Sequence, residues 1–110
     1  MVATKLKPEV AKQQAARPQT RRASRLRSQT RTTIRSSHGD RAKALIRDVS
    51  IYGCSLECDA GWLRNGMFLT LHLNAEWSIQ AIVRWVREDR TGVEFLRPIS
   101  EIEARAISED

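Results

Sequence analysis

The chain predicts an all-β fold, a small six-stranded antiparallel barrel with a flexible basic N-terminal arm and a short C-terminal helix. Three observations carry that expectation. From residue 30 onward, period-2 and β-branched runs recur at short spacing between turn signals. The last thirteen residues carry a helix-capping signature. Charge is segregated, with the basic residues gathered in the first third of the chain.

The strands follow in order. "TRTTIRS" (30–36) reads as a strand, "SHGD" (37–40) as a tight turn, and "AKALIRDV" (42–49) as the returning strand of a hairpin. After the break at Tyr52-Gly53 comes "CSLEC" (54–58), then a loop, "DAGWLRNG" (59–66), with glycines near both ends. "MFLTLHL" (67–73) alternates, with Met67, Leu69, Leu71 and Leu73 on one face and Phe68, Thr70 and His72 on the other. "NAE" (74–76) turns the chain into "WSIQAIVRWVR" (77–87), which predicts a core face of Ile79, Ala81, Val83 and Trp85. "EDR" (88–90) closes a last hairpin to "TGVEFL" (91–96). Six short strands are best served by closure, because a barrel leaves no edge to protect. In "PISEIEARAISED" (98–110), Ser100 is the expected N-cap and Glu103 its capping-box partner. Ile99, Ile102 and Ala106 form the expected apolar stripe of this helix.

At 110 residues the chain holds one domain. The expected organisation is a disordered basic tail over 1–19, a barrel over 20–97 that includes the basic arm, and the helix over 98–110. Net charge is +6, but residues 1–36 hold ten Lys or Arg against Glu9 alone, which is +9. The body from 37 to 110 carries nine basic and twelve acidic residues, which is −3. Such an arm attracts polyanions or a phosphorylated ligand, whereas the body lacks a nucleic-acid footprint. No apolar run is long enough for a signal peptide or a membrane span. The arm does mimic an organellar transit peptide, a reading that would make residues 21–31 disposable. Cys54 and Cys58, four residues apart in one strand, stand roughly 13 Å apart, too far for a disulfide. No second closely spaced pair completes a metal site with His38 or His72. Two buried or half-buried thiols in a reducing cytosol fit this spacing.

The run "RRASRLRSQTR" (21–31) packs five arginines into eleven positions without an acid. Alone it reads as a solvated tail or a non-specific polyanion contact. Likewise "RDVSIYGCSL" (47–56) alone reads as turn chemistry at a strand end, with Asp48, an outward hydroxyl at Ser50, and Gly53. The conjunction is rarer: Arg21 and Arg25 form Arg-x-x-x-Arg, and Asp48, Ser50 and Gly53 form Asp-x-Ser-x-x-Gly some twenty residues later.

With both segments in this order, the chain resembles the PilZ domain family, whose signature is RxxxR followed by D/NxSxxG at the head of a six-stranded barrel. The later strands agree: "GCSLEC" (53–58), "LRNGMFLTLHL" (63–73), "IVRWV" (82–86) and "TGVEFL" (91–96). The resemblance runs from about Arg21 to Leu96. It implies a non-catalytic bacterial receptor in the cytoplasm that binds the second messenger cyclic di-GMP and signals to a protein effector. The implied ligand-binding residues are Arg21, Arg25, Asp48, Ser50 and Gly53, with Arg22 and Arg27 as auxiliary phosphate contacts. Arg27 and Arg31 also stand in RxxxR relation, but Arg31 falls inside the first expected strand and cannot swing over a ligand.

The residue types suit that ligand on their own chemistry. Guanidinium binds phosphate through two parallel bonds and also meets the O6/N7 edge of guanine. A carboxylate at Asp48 accepts from guanine N–H groups, Ser50 has a hydroxyl to donate, and Gly53 lets backbone approach where a Cβ would intrude. No Ser-His-Asp set, paired-carboxylate cleft, Gly-rich phosphate loop or metal spacing is present, so the sequence offers no enzyme reading, no cofactor and no metal. Two other readings stay open: a small basic barrel that binds nucleic acid or another polyanion through its arm, and a ligand-free adaptor of the same fold.

Overall fold

The computed structural model describes residues 24–109 of the chain. In chain order these form β1 (Leu26–Ser36), β2 (Arg41–Val49), β3 (Gly53–Glu57), β4 (Phe68–Asn74), β5 (Trp77–Arg87), β6 (Arg90–Phe95) and the helix α1 (Glu101–Glu109). All neighbours pair antiparallel, and the order β1-β2-β3-β6-β5-β4 closes β4 back onto β1. The expected six-stranded barrel is therefore present, and the expected strands agree with the observed ones to within a residue or two at most ends. Arg21 and Arg22 lie outside the described residues, as does the segment expected to form the disordered tail.

Alternation builds the core. Ile34, Ile46, Leu56, Leu71 and Val83, one from each of five strands, are fully buried and meet in one apolar cluster. β6 adds Val93 and Phe95 to the same cluster. Cys54 and Cys58 are both buried and free. Burial raises both thiols above their ordinary range, with Asp48 adding to the effect at Cys54 and Asp59 at Cys58. Both stay protonated at neutral pH, so neither offers a thiolate nucleophile.

β1 starts at Leu26, four residues before the expected start at Thr30. Beyond Leu26, the first half of β1 is polar even on its inward face, where Ser28, Thr30 and Thr32 are buried. Nothing in "LRSQ" announces a strand; tertiary partners impose it. Ser28 Oγ donates to the Ile107 carbonyl at 3.1 Å, and the Thr30 hydroxyl donates to the same oxygen. Thr32 Oγ1 donates to the His72 carbonyl at 2.9 Å. The inward hydroxyls of β1 thus satisfy one of the open carbonyls in the last turn of α1.

α1 opens with the expected capping box. Glu103 N–H donates to Ser100 Oγ at 3.0 Å, and Ser100 N–H donates to Glu103 Oε1 at 2.8 Å. Its buried face is different from the expected one. Ala104 and Ile107 are buried, whereas Ile102 is 81% exposed and Ala106 is exposed. Ile99 packs against the core, but it precedes the first helical residue. Its direction is therefore not set by the helical period that would have aligned Ile102 with it.

Candidate functional site

Of the signature residues described, Arg25 and Asp48 meet on the outer surface of the barrel, and a bulge in β2 decides which way Asp48 points. Ile46 pairs with Leu56 and Asp48 with Ser55, so β2 spends two residues where β3 spends one. Without the extra residue at Arg47, Asp48 would share the inward face of Ala44 and Ile46. The bulge inverts the alternation, turning Asp48 out while Val49 goes into the core.

Asp48 is held from two sides. Its Oδ1 accepts from Arg25 Nη2 at 2.5 Å and from Arg25 Nε at 3.1 Å. Its Oδ2 accepts from Ser55 Oγ at 2.8 Å. Ser55 Oγ in turn accepts from Arg90 Nη2 at 3.1 Å. The side chains of Arg25 and Asp48 remain 44% and 31% exposed, so solvent screens the pair and a ligand has access to it. Arg25 sits immediately before β1, whose Arg27 pairs in register with Asp48. The second arginine of RxxxR and the first residue of DxSxxG are therefore joined directly, across 23 residues of sequence.

The other two signature residues do structural work. Ser50, expected to carry an outward hydroxyl, is only 2% exposed. Its Oγ accepts from Tyr52 N–H at 3.1 Å, and its N–H donates to the Gly53 carbonyl at 2.8 Å, so the residue locks the turn from β2 to β3. At Gly53 a Cβ would fall 2.2 Å from the Val93 carbonyl oxygen. The space a side chain would need is filled by the backbone of β6, so the glycine admits a neighbouring strand at close range.

A second bulge adds a residue that the sequence reading assigned to the core. Val83 pairs with Val93 and Trp85 with Gly92, so β5 carries an extra residue at Arg84. The strand's phase flips there. Trp85 leaves the face of Ile79, Ala81 and Val83 and stands 39% exposed. Its indole lies over Gly92, where a Cβ would fall 2.1 Å from Nε1. The Arg87 guanidinium sits 5.3 Å from the ring centroid. The signal for this placement was Gly92 itself, since a glycine inside a strand marks a close approach from a neighbour.

Register links these features into one strip. Arg27 pairs with Asp48, Asp48 with Ser55, Ser55 with Gly92, and Gly92 with Trp85. A single cross-strand row thus runs over five strands, from a guanidinium through an acceptor carboxylate to an aromatic plate. The site is a surface strip and not a cavity. A depression of about 780 Å³ lies elsewhere, lined by residues such as Arg31, Lys43, Cys58 and His72, and it contains none of the signature residues. A hollow of about 410 Å³ borders the strip at Arg27 and Arg47. Among the described residues, no group of three or more His, Cys, Asp or Glu is placed to hold a metal ion. No helix among them is long and apolar enough to cross a membrane.

Residues 19–109 match the PilZ domain, nearly the whole chain. The chain belongs to the PilZ family, a family of cyclic di-GMP-binding domains that act as binding and effector modules. No curated protein matches it as a relative.

Proposed function

We propose that this chain is a bacterial cytoplasmic receptor for cyclic di-GMP that changes conformation on binding and passes the signal to a protein effector. The observation that carries the reading is the outward row that puts Asp48, clasped by Arg25, on the same face as Trp85. Cyclic di-GMP presents two phosphates and two guanines, and the row has a complementary group for each kind of feature. Arg25, with Arg21 from the arm, takes phosphate or the O6/N7 edge of guanine. The Asp48 carboxylate accepts guanine N–H groups. Trp85 offers a face on which a base stacks, and Arg27, in register with Asp48 at the other end of the row, adds a cation for phosphate. Ser50 and Gly53 serve the site by fixing the turn and the strand spacing that hold Asp48 in place.

In the state described, Asp48 Oδ1 is occupied by Arg25. Binding then exchanges a protein–protein ion pair for two protein–ligand contacts, and the arm that carried Arg25 moves with the ligand. This gives the switch a physical form: the arm's position on the barrel reports occupancy. An exposed pair costs little to open, about 0–1 kcal/mol, so the exchange stays within reach of a small ligand.

The competing reading is a polyanion-binding arm, and the first eighteen residues separate the two. They hold Lys5, Lys7, Lys12 and Arg17 but no residue of either signature segment. A chain lacking residues 1–18 is expected to bind cyclic di-GMP within about threefold of the full chain at physiological salt. A polyanion arm would instead lose most of its affinity with those cations, and its binding would fall linearly in log salt with a slope set by the number of phosphates contacted.

A further inference from the structure

We infer that Arg90, acting through Ser55, is a positioning residue that sets the orientation of the Asp48 carboxylate toward the ligand; the inference rests on the cyclic di-GMP reading of this strip. The hydrogen bonds run in one direction. A guanidinium only donates, so the 3.1 Å contact between Arg90 Nη2 and Ser55 Oγ is a donation to the serine. The serine hydroxyl has one proton, and the 2.8 Å contact to Asp48 Oδ2 takes it. The carboxylate at the end of this chain is an acceptor on both oxygens, with Oδ2 fixed in place. Rotation about its terminal bond is blocked, and Oδ1 is left to face Arg25 and the ligand.

The relay and the arm hold Asp48 independently. Arg90 opens β6, in register with Glu57 of β3 and Arg87 of β5, and belongs to the barrel wall. When Arg25 leaves Oδ1 for the ligand, the bond from Ser55 remains. Ser55 is 4% exposed, which keeps water from competing for its hydroxyl. Arg90 Nε is buried without a hydrogen-bond partner. The side chain is therefore held in the barrel wall and not turned into water.

An oriented carboxylate reads the guanine edge through the adjacent N1–H and 2-amino groups. Cyclic di-IMP lacks the 2-amino group and is otherwise the same ligand, so the ratio of the two affinities reports the orientation. The wild-type chain is expected to favour cyclic di-GMP roughly tenfold or more, the size of one hydrogen bond to a charged group. Arg90→Met and Ser55→Ala are each expected to shrink that ratio to within about threefold, and Arg90→Lys to restore most of it. A purely structural Arg90 would shift both affinities together and leave the ratio alone. Independently of any ligand, the Ser55 hydroxyl proton is expected as a slowly exchanging resonance in the wild type and Arg90→Lys, and absent in Arg90→Met. An unchanged ratio in folded Arg90→Met or Ser55→Ala, or a hydroxyl resonance that persists in Arg90→Met, overturns the inference. Absence of cyclic di-GMP binding by the wild type would instead remove the receptor reading, and the hydroxyl resonance alone would then decide whether Arg90 orders Asp48.

Discussion

Gly53→Ala is expected to destabilise the barrel by at least about 3 kcal/mol. The added Cβ falls 2.2 Å from the Val93 carbonyl oxygen and 3.2 Å from Glu94 Cα, and both are backbone atoms of a paired strand. No side-chain rotation relieves them. β3 and β6 have to separate, which strains the ladder from Gly53–Glu94 to Glu57–Arg90 and disturbs Cys54 and Leu56 in the core. A domain of this size has a stability of order 5–15 kcal/mol, and each kilocalorie lowers its thermal midpoint by about 4–8 °C. Thermal melting followed by circular dichroism is expected to show a fall of at least about 12 °C. Gly61→Ala, where an added Cβ meets nothing within 4 Å, is the matched control and should melt within about 2–3 °C of wild type. The motif glycine is thus required for the sheet, and loss of ligand binding by a Gly53 variant is not evidence of ligand contact.

Arg25→Ala is expected to do the reverse, reducing cyclic di-GMP affinity by roughly 10- to 100-fold, the loss of a bidentate charged contact, while the barrel keeps its stability to within about 1 kcal/mol. Arg25 is exposed and its partner is half-exposed, so the pair is screened by solvent. Asp48→Ala is expected to abolish binding to a similar degree, with a larger cost to stability. It leaves the hydroxyl of buried Ser55 without an acceptor beside a guanidinium that only donates. Paired binding titrations and thermal melts separate the two effects. Wild-type affinity in either variant would remove Arg25 and Asp48 from the site.

The elements legible in the sequence were those set by local pattern. β5 spans the expected residues 77–87, and Ser100 and Glu103 close the expected box, because alternation and capping are written in adjacent residues. The RxxxR and DxSxxG segments were legible for the same reason. What the sequence concealed depended on register. A bulge adds one residue to one strand and reverses every side chain beyond it, yet no residue type within the bulged strand marks the place, and the only hint at Trp85 was Gly92 on the neighbouring strand. Trp85, read as core, faces outward for this reason. The bulge at Arg47 instead turns Asp48 out to the surface, where Arg25 meets it. Ser50 shows a different gap, since an Asp-x-Ser spacing cannot tell a hydroxyl that meets a ligand from one that accepts a backbone N–H two residues on. The early start of β1 was hidden because its inward hydroxyls answer to α1, 79 residues away in the case of Ser28 and Ile107.

The strip from Arg25 to Trp85 is proposed as the cyclic di-GMP site. Its most direct test is a calorimetric titration of the full chain with cyclic di-GMP at physiological salt, with GTP and cyclic di-AMP as controls. Saturable binding of cyclic di-GMP alone is expected, with a dissociation constant in the micromolar range or tighter, about −8 kcal/mol or better. The stoichiometry would show whether one ligand or a stacked pair is held. No heat from cyclic di-GMP under these conditions, or equal binding of cyclic di-AMP, would contradict it.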